Sequence, residues 1–159
     1  MDDKKHDELQ EEVEKIEISE DERNSIIDSY LQGERYKQDC IINLSETRSI
    51  KYELVYPFMK DHKMVETIMR KIEKEHKESD KSMMYDNAVF PLALQVSKWQ
   101  DKDFTNLGEM LYTEEAFRER LDFFTNKLID PIFISVLNEI RRFNTKIDQV
   151  FNSESLKNF

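Results

Sequence analysis

Between Thr113 and Phe151 two amphipathic patterns meet at Ile129-Asp130-Pro131, and this junction limits the fold more than any other stretch of the chain. Apolar residues recur at Phe117, Leu121, Phe124 and Leu128, then at Phe133, Val136, Leu137, Ile140, Phe143, Ile147, Val150 and Phe151. Spacing of three and four residues is the signature of a helix with one buried face. Thr113 is a good N-cap, because its hydroxyl accepts from a first-turn N–H, and Glu114 and Glu115 favour the positive end of the helix dipole. Asp130-Pro131 starts the second helix: the carboxylate caps, and the proline ring presets φ where no N–H donor is needed. So short a joint predicts an antiparallel helical hairpin with the phenylalanines buried between its arms.

With two glycines and three prolines in 159 residues, an architecture of many tight turns is ruled against. Ser19 with Glu22 has the form of a capping box, Ile26, Ile27, Tyr30 and Leu31 give the next helix its apolar face, and Gly33 ends it. The period then changes from helical to alternating. Ile50, Tyr52, Leu54 and Tyr56 alternate with Lys51, Glu53 and Val55, Tyr36 to Leu44 is rich in Ile and Tyr, and Ser45-Glu46-Thr47-Arg48 is a polar turn. One antiparallel β-hairpin ended by Pro57 follows, and it must lean on the helices because two strands are marginal alone.

Asp61 is expected to cap a helix with the stripe Met64, Val65, Ile68, Met69 and Ile72, followed by the charged run Glu73 to Lys81. From Ser82 to Trp99 the chain is apolar again, and Pro91 predicts either a helix start or, as favoured here, a kink in a longer helix. Gln100 to Tyr112 reads as a loop with one or two apolar pins. The expected fold is therefore mainly α: a bundle of about four to five helices with one small antiparallel β-hairpin, with α+β as the alternative. Residues 1–18 form an acidic, partly disordered arm, 19–151 a single helical domain with the hairpin near 36–56, and 152–159 a C-terminal tail.

Charge and composition narrow the function. The formal net charge is −10, and seven of those charges fall before Asn24, so direct binding to nucleic-acid phosphate is not expected. Cys40 is alone, which excludes an internal disulfide and points to a reducing compartment. No apolar run approaches a membrane span, and Met1 to Gln10 lacks the basic-then-apolar order of a signal peptide. The expected location is the cytoplasm.

Candidate chemistry is sparse. His6, His62 and His76 have no paired metal-ligand spacing, Gly33 and Gly108 lie too far apart to build a phosphate loop, and Cys40 carries no nucleophile signature. Asp86 is the one carboxylate inside an apolar run, with capping or pairing to Arg118 or Arg120 as its expected role. No cofactor, metal or catalytic residue is assigned, and the chain is expected not to be an enzyme. The methionines point elsewhere, since flexible thioethers suit adaptable binding surfaces as well as cores. Met64, Met69, Met83 and Met84, with Trp99 and Phe104, are the candidate partner-binding residues.

The run Ala93-Leu94-Gln95-Val96-Ser97-Lys98-Trp99, then Asp103-Phe104, Arg118 and Arg120 leading into Leu121, Leu128 to Phe143, and a closing Lys157-Asn158-Phe159 is similar to small tail assembly chaperones and baseplate-hub assembly proteins of tailed phages. The resemblance covers about half the chain and consists mostly of apolar spacing. It implies a non-enzymatic protein that shields an aggregation-prone tail or hub component, either as a chaperone or as a small structural part of the particle. The setting would be host cytoplasm or the virion, and a homo-oligomer is compatible with it. The competing reading is an acidic inhibitor or regulator that occupies a nucleic-acid-binding protein through the charge of Asp2 to Glu22.

Overall fold

The computed structural model describes residues 15–75, 80–104 and 113–152, with the backbone alone over 80–87. The elements follow in the order α1 (Glu20–Leu31), β1 (Lys37–Asn43), β2 (Ser49–Val55), α2 (Met59–Glu75), α3 (Asp80–Gln95), β3 (Val96–Trp99), β4 (Lys102–Asp103), α4 (Glu114–Lys127) and α5 (Asp130–Phe151). The fold is mainly helical, as expected, but the small sheet has four strands where one hairpin was predicted. They pair antiparallel in the order β1-β2-β3-β4. The acidic arm before Lys15 and the tail after Asn152 lie outside the described residues.

The expected hairpin is present, with Cys40 opposite Tyr52 and Asn43 opposite Ser49. The additional strands come from Val96–Trp99, where the sequence predicts the end of a helix, and from Lys102–Asp103, where it predicts a loop. β3 joins β2 through a bulge: Ser97 and Lys98 together oppose Glu53, while Leu54 faces Val96. Ser97 is fully buried and donates to the Glu53 carboxylate at 2.7 Å, which satisfies a polar pair in the middle of the sheet. α3 runs through Pro91 to Gln95, so the alternative of a helix starting at Pro91 does not hold.

Helix starts differ from expectation at two places. Asp61 does not precede its helix; α2 begins at Met59, and the Asp61 carboxylate reaches back to accept from the N–H of Phe58 at 2.7 Å. Asp130 is likewise inside its helix, with Ile129 at the N-cap and no side-chain cap there. Ser19 and Thr113 do cap as predicted, accepting from the N–H groups of Glu22 and Ala116.

The phenylalanines do not form a private seam between α4 and α5. α4 packs chiefly on α3, whereas α5 packs on α3 and α1. Phe117 meets Phe90, Phe124 meets Trp99, and Phe143 stacks on Tyr36 at 6.0 Å. Each aromatic face thus finds a partner in another layer, because the sheet and α3 offer more apolar area than a lone helix would. One sheet face, carrying Cys40, Tyr52 and Trp99, lies under α4 and α5. The other carries the cross-strand row Asp39, Glu53, Lys98 and Asp103.

Candidate functional site

The end of α1 is built to turn sharply. Gly33 takes φ +72°, its N–H bonds to the carbonyl of Tyr30, and the N–H of Glu34 bonds to that of Ser29. These two bonds satisfy carbonyls the helix would otherwise leave open, and only glycine holds that φ without a Cβ penalty. The chain then doubles back, so that Tyr36 faces the same space as Ile26 and Tyr30.

A second corner closes the space from below. β2 stops at Val55, and Tyr56-Pro57-Phe58 lead into α2. Asp61 fixes this corner. It is 3 % exposed, accepts from Arg35 Nε at 2.7 Å and from a second guanidinium nitrogen at 2.8 Å, and holds the N–H of Phe58. The Arg35 guanidinium sits over the Phe58 ring, 5.1 Å from its centre. Two-point pairing of arginine with carboxylate fixes orientation as well as distance. The segment before α2 is therefore held against the segment after α1.

Between these corners and α5 lies a groove of about 380 Å³, walled by Tyr30, Tyr36, Tyr56, Phe58, Met59 and Phe151 over a floor of Ile26 and Ile147. That volume is within the range of about 300–1,000 Å³ typical of formed ligand sites. The walls differ in rigidity. Tyr36 and Tyr56 rest on the buried Phe143 ring, whereas Tyr30 and Met59 are 61 % and 88 % exposed at the rim. Tyr30 leans edge-on against Phe151 at 5.4 Å.

The electrostatics of the groove are simple. Glu34 lines it and Asp148 accepts from the Tyr56 hydroxyl at 3.4 Å, both carboxylates being exposed. Burial, then the charge of Glu22, raises the Tyr36 phenol above its ordinary pKa; burial, then Asp148, does the same to Tyr56. Both phenols therefore stay protonated at neutral pH, and that of Tyr56 donates to Asp148. The groove is an apolar trough with an acidic lip.

The residues singled out from the sequence are dispersed. Met64 is exposed on α2 beside Lys60, Lys63 and Lys71, in a separate shallow hollow. Met69 is partly buried against the core, and Trp99 is buried between Tyr52 and Phe124. Phe104 packs between Phe123 and Phe124. The side chains of Met83, Met84 and Asp86 lie outside the described residues. None of the described members of that set lines the groove.

The sequence does not single out the groove residues because each has an ordinary local reading: Tyr30 as part of a helix face, Tyr56-Pro57 as a strand end. The signal that was available is the density of Tyr56-Pro57-Phe58-Met59, four apolar residues across a strand-to-helix turn. Among the described residues no cluster of three or more His, Cys, Asp or Glu side chains is placed to hold a metal ion. No described helix is long and apolar enough to cross a membrane. Comparison with protein-family models, with curated proteins and with solved structures finds no match.

Proposed function

We propose that this chain is a non-enzymatic protein-binding protein that seats an amphipathic helix of a partner in the groove between α1, α5 and the Tyr56–Met59 corner. The observation that carries the reading is the combination of rigid aromatic walls with large, exposed apolar side chains at the rim. Helix-in-groove recognition uses such a trough, with anchors at every third or fourth residue of the guest. Tyrosine gives wide contact area at low cost in side-chain freedom, which suits an interface. The lip formed by Glu34 and Asp148 selects guests with Lys or Arg flanking those anchors.

The resemblance of the carboxy-terminal half to tail assembly chaperones and baseplate-hub assembly proteins supplies the setting of this proposal. In that setting the guest is an aggregation-prone tail or hub segment, the site of action is the host cytoplasm or the virion, and the acidic surface keeps the complex in solution.

Affinity purification of the tagged full chain from its native cells, at low and high salt, tests the proposal when wild type is compared with a Tyr30→Ala/Met59→Glu variant. The expected result is a tail or baseplate protein that survives high salt with wild type and is lost with the variant. A DNA- or RNA-binding protein that salt releases and that the variant still captures would overturn it, and would favour the acidic arm as the binding element.

A further inference from the structure

Among the described residues the first strand has an unpaired side. Backbone bonds between Tyr36 and Tyr56 and between Leu44 and Arg48 mark the even-numbered residues of β1 as those whose peptide groups face β2. Lys37, Asp39, Ile41 and Asn43 therefore turn their N–H and C=O groups away from the sheet. No described residue pairs with that side, since β1 is the outer strand of the order β1-β2-β3-β4. The opposite edge differs, because β4 has only two residues and offers no template.

Long open edges are normally blunted by proline, a bulge, shortness or charge, and the charges of β1, Lys37 and Asp39, lie in its first half. β1 has seven residues, no proline and an unbroken register with β2. It also carries Ile41, 54 % exposed, one residue past its centre, with half-buried Cys40 and Ile42 on the face towards α5.

We infer that β1 is an interface between two copies of this chain, paired antiparallel about a two-fold axis at Ile41 to give a continuous eight-stranded sheet. Self-complementarity of the strand's sequence points to a second copy as the occupant and favours one register over those centred on Asp39 or Cys40. Centring on Ile41 sets Ile41 against its own copy, Asp39 against Asn43, and Cys40 against Ile42: an apolar pair, a carboxylate with an amide donor, and a second apolar pair. Centring on Asp39 sets two carboxylates face to face, which is unfavourable. Centring on Cys40 sets Asp39 against Ile41 and leaves the carboxylate without a polar neighbour across the strand. A two-fold contact requires this kind of self-complementarity. The contact is one strand wide, so the dimer is weak and depends on concentration. It leaves the groove unoccupied and does not depend on the function proposed for it.

Analytical ultracentrifugation of the full chain over a concentration series tests the inference. Wild type is expected to move from the single-chain mass of 19.2 kDa towards twice that value. Ile41→Pro removes only an N–H that points away from β2, so it is expected to keep the helical circular dichroism and remain monomeric. Ile41→Lys sets two like charges face to face on the axis and is expected to raise the dissociation constant about tenfold or more without touching the β1/β2 bonds. Ile42→Cys, under mild oxidant, is expected to form a covalent dimer between position 42 and Cys40 of the second copy, while wild type does not cross-link. A wild-type chain that stays at single-chain mass throughout overturns the inference. So does a folded Ile41→Lys chain that dimerises as well as wild type, and a wild-type Cys40–Cys40 cross-link overturns the register.

Discussion

Replacing Asp61 with alanine removes three hydrogen bonds at once and leaves the Arg35 guanidinium without its carboxylate. The pair is shielded, its side chains being 17 % and 4 % exposed for Arg35 and Asp61, so the loss is not softened by solvent as a surface ion pair would be. Removing one partner of such a pair costs about 3–5 kcal/mol, because the remaining charge stays in a poorly hydrated site. The lost bond to the Phe58 N–H, which serves the start of α2, is contained within that figure. At about 3 °C per kcal/mol for a domain of this size, the melting midpoint should fall by about 9–15 °C. Urea unfolding at neutral pH, followed by circular dichroism, gives the free energy directly. The second half of the prediction is more diagnostic: an Arg35→Met/Asp61→Leu double variant should recover most of the loss, since apolar replacement of both partners is often neutral. An Asp61→Ala chain within about 1 kcal/mol of wild type, or a double variant as unstable as the sum of the two single changes, would refute the reasoning.

Three further outcomes follow from the same geometry. Arg120 is fully buried and donates from Nε to the carbonyl of Ala93 at 2.6 Å, in the last turn of α3, so Arg120→Met should cost about 1–3 kcal/mol in urea unfolding; an unchanged midpoint would count against a capping role. Lys146 on α5 donates to Glu22 of α1 at 2.6 Å and to Gln38 of β1, so Lys146→Met should speed amide exchange across α1 about tenfold or more while leaving α4 unchanged; equal exchange in both helices would sink it. Burial, chiefly, raises the Cys40 thiol and the Tyr36 and Tyr56 phenols above their ordinary values of 9.0 and 10.0. The folded state therefore keeps protons that the unfolded chain releases, and stability is full below pH about 8 and declines as pH rises past about 9–10. Urea titrations on both sides of that window should show the decline, and a flat or rising profile would contradict it.

Much of the fold is legible because local signals agree with the final packing. Ser19 and Gly33 bound α1, and the alternation from Ile50 to Tyr56 marks β2 next to a compatible β1. β3 is hidden for a physical reason: Val96–Trp99 continues the apolar run of α3 with no turn residue between Gln95 and Val96. A short apolar run does not distinguish a buried strand from a helix end. The identity of the partners is hidden too. Arg35 and Asp61 are 26 residues apart, Gln38 and Lys146 are 108 apart, and neither separation leaves a periodic trace. The groove shares this obscurity because its walls come from α1, the segment after it, the β2–α2 corner and α5. Each wall residue looks like ordinary core or cap until the chain closes.

The buried polar residues explain how so small a sheet is held under its helices. Asp61 joins the segment after α1 to the start of α2, Arg120 joins α4 to the end of α3, and Gln95 exchanges hydrogen bonds with Asn144 of α5 at 2.7 and 3.0 Å. Lys146 joins three elements, tying α1 and β1 to α5. Apolar contact alone permits sliding, whereas a buried hydrogen bond specifies one register because every alternative leaves a polar group unsatisfied. Lys146 has the widest reach of these joints. Through Glu22 it sets the helix that walls the groove, and through Gln38 it sets the outer strand of the described sheet. Tyr36, the last residue before that strand, already stands in the groove wall. A displacement of α1 would therefore strain the same joint that positions β1, so the proposed groove and the proposed strand interface would share Lys146 as a physical link.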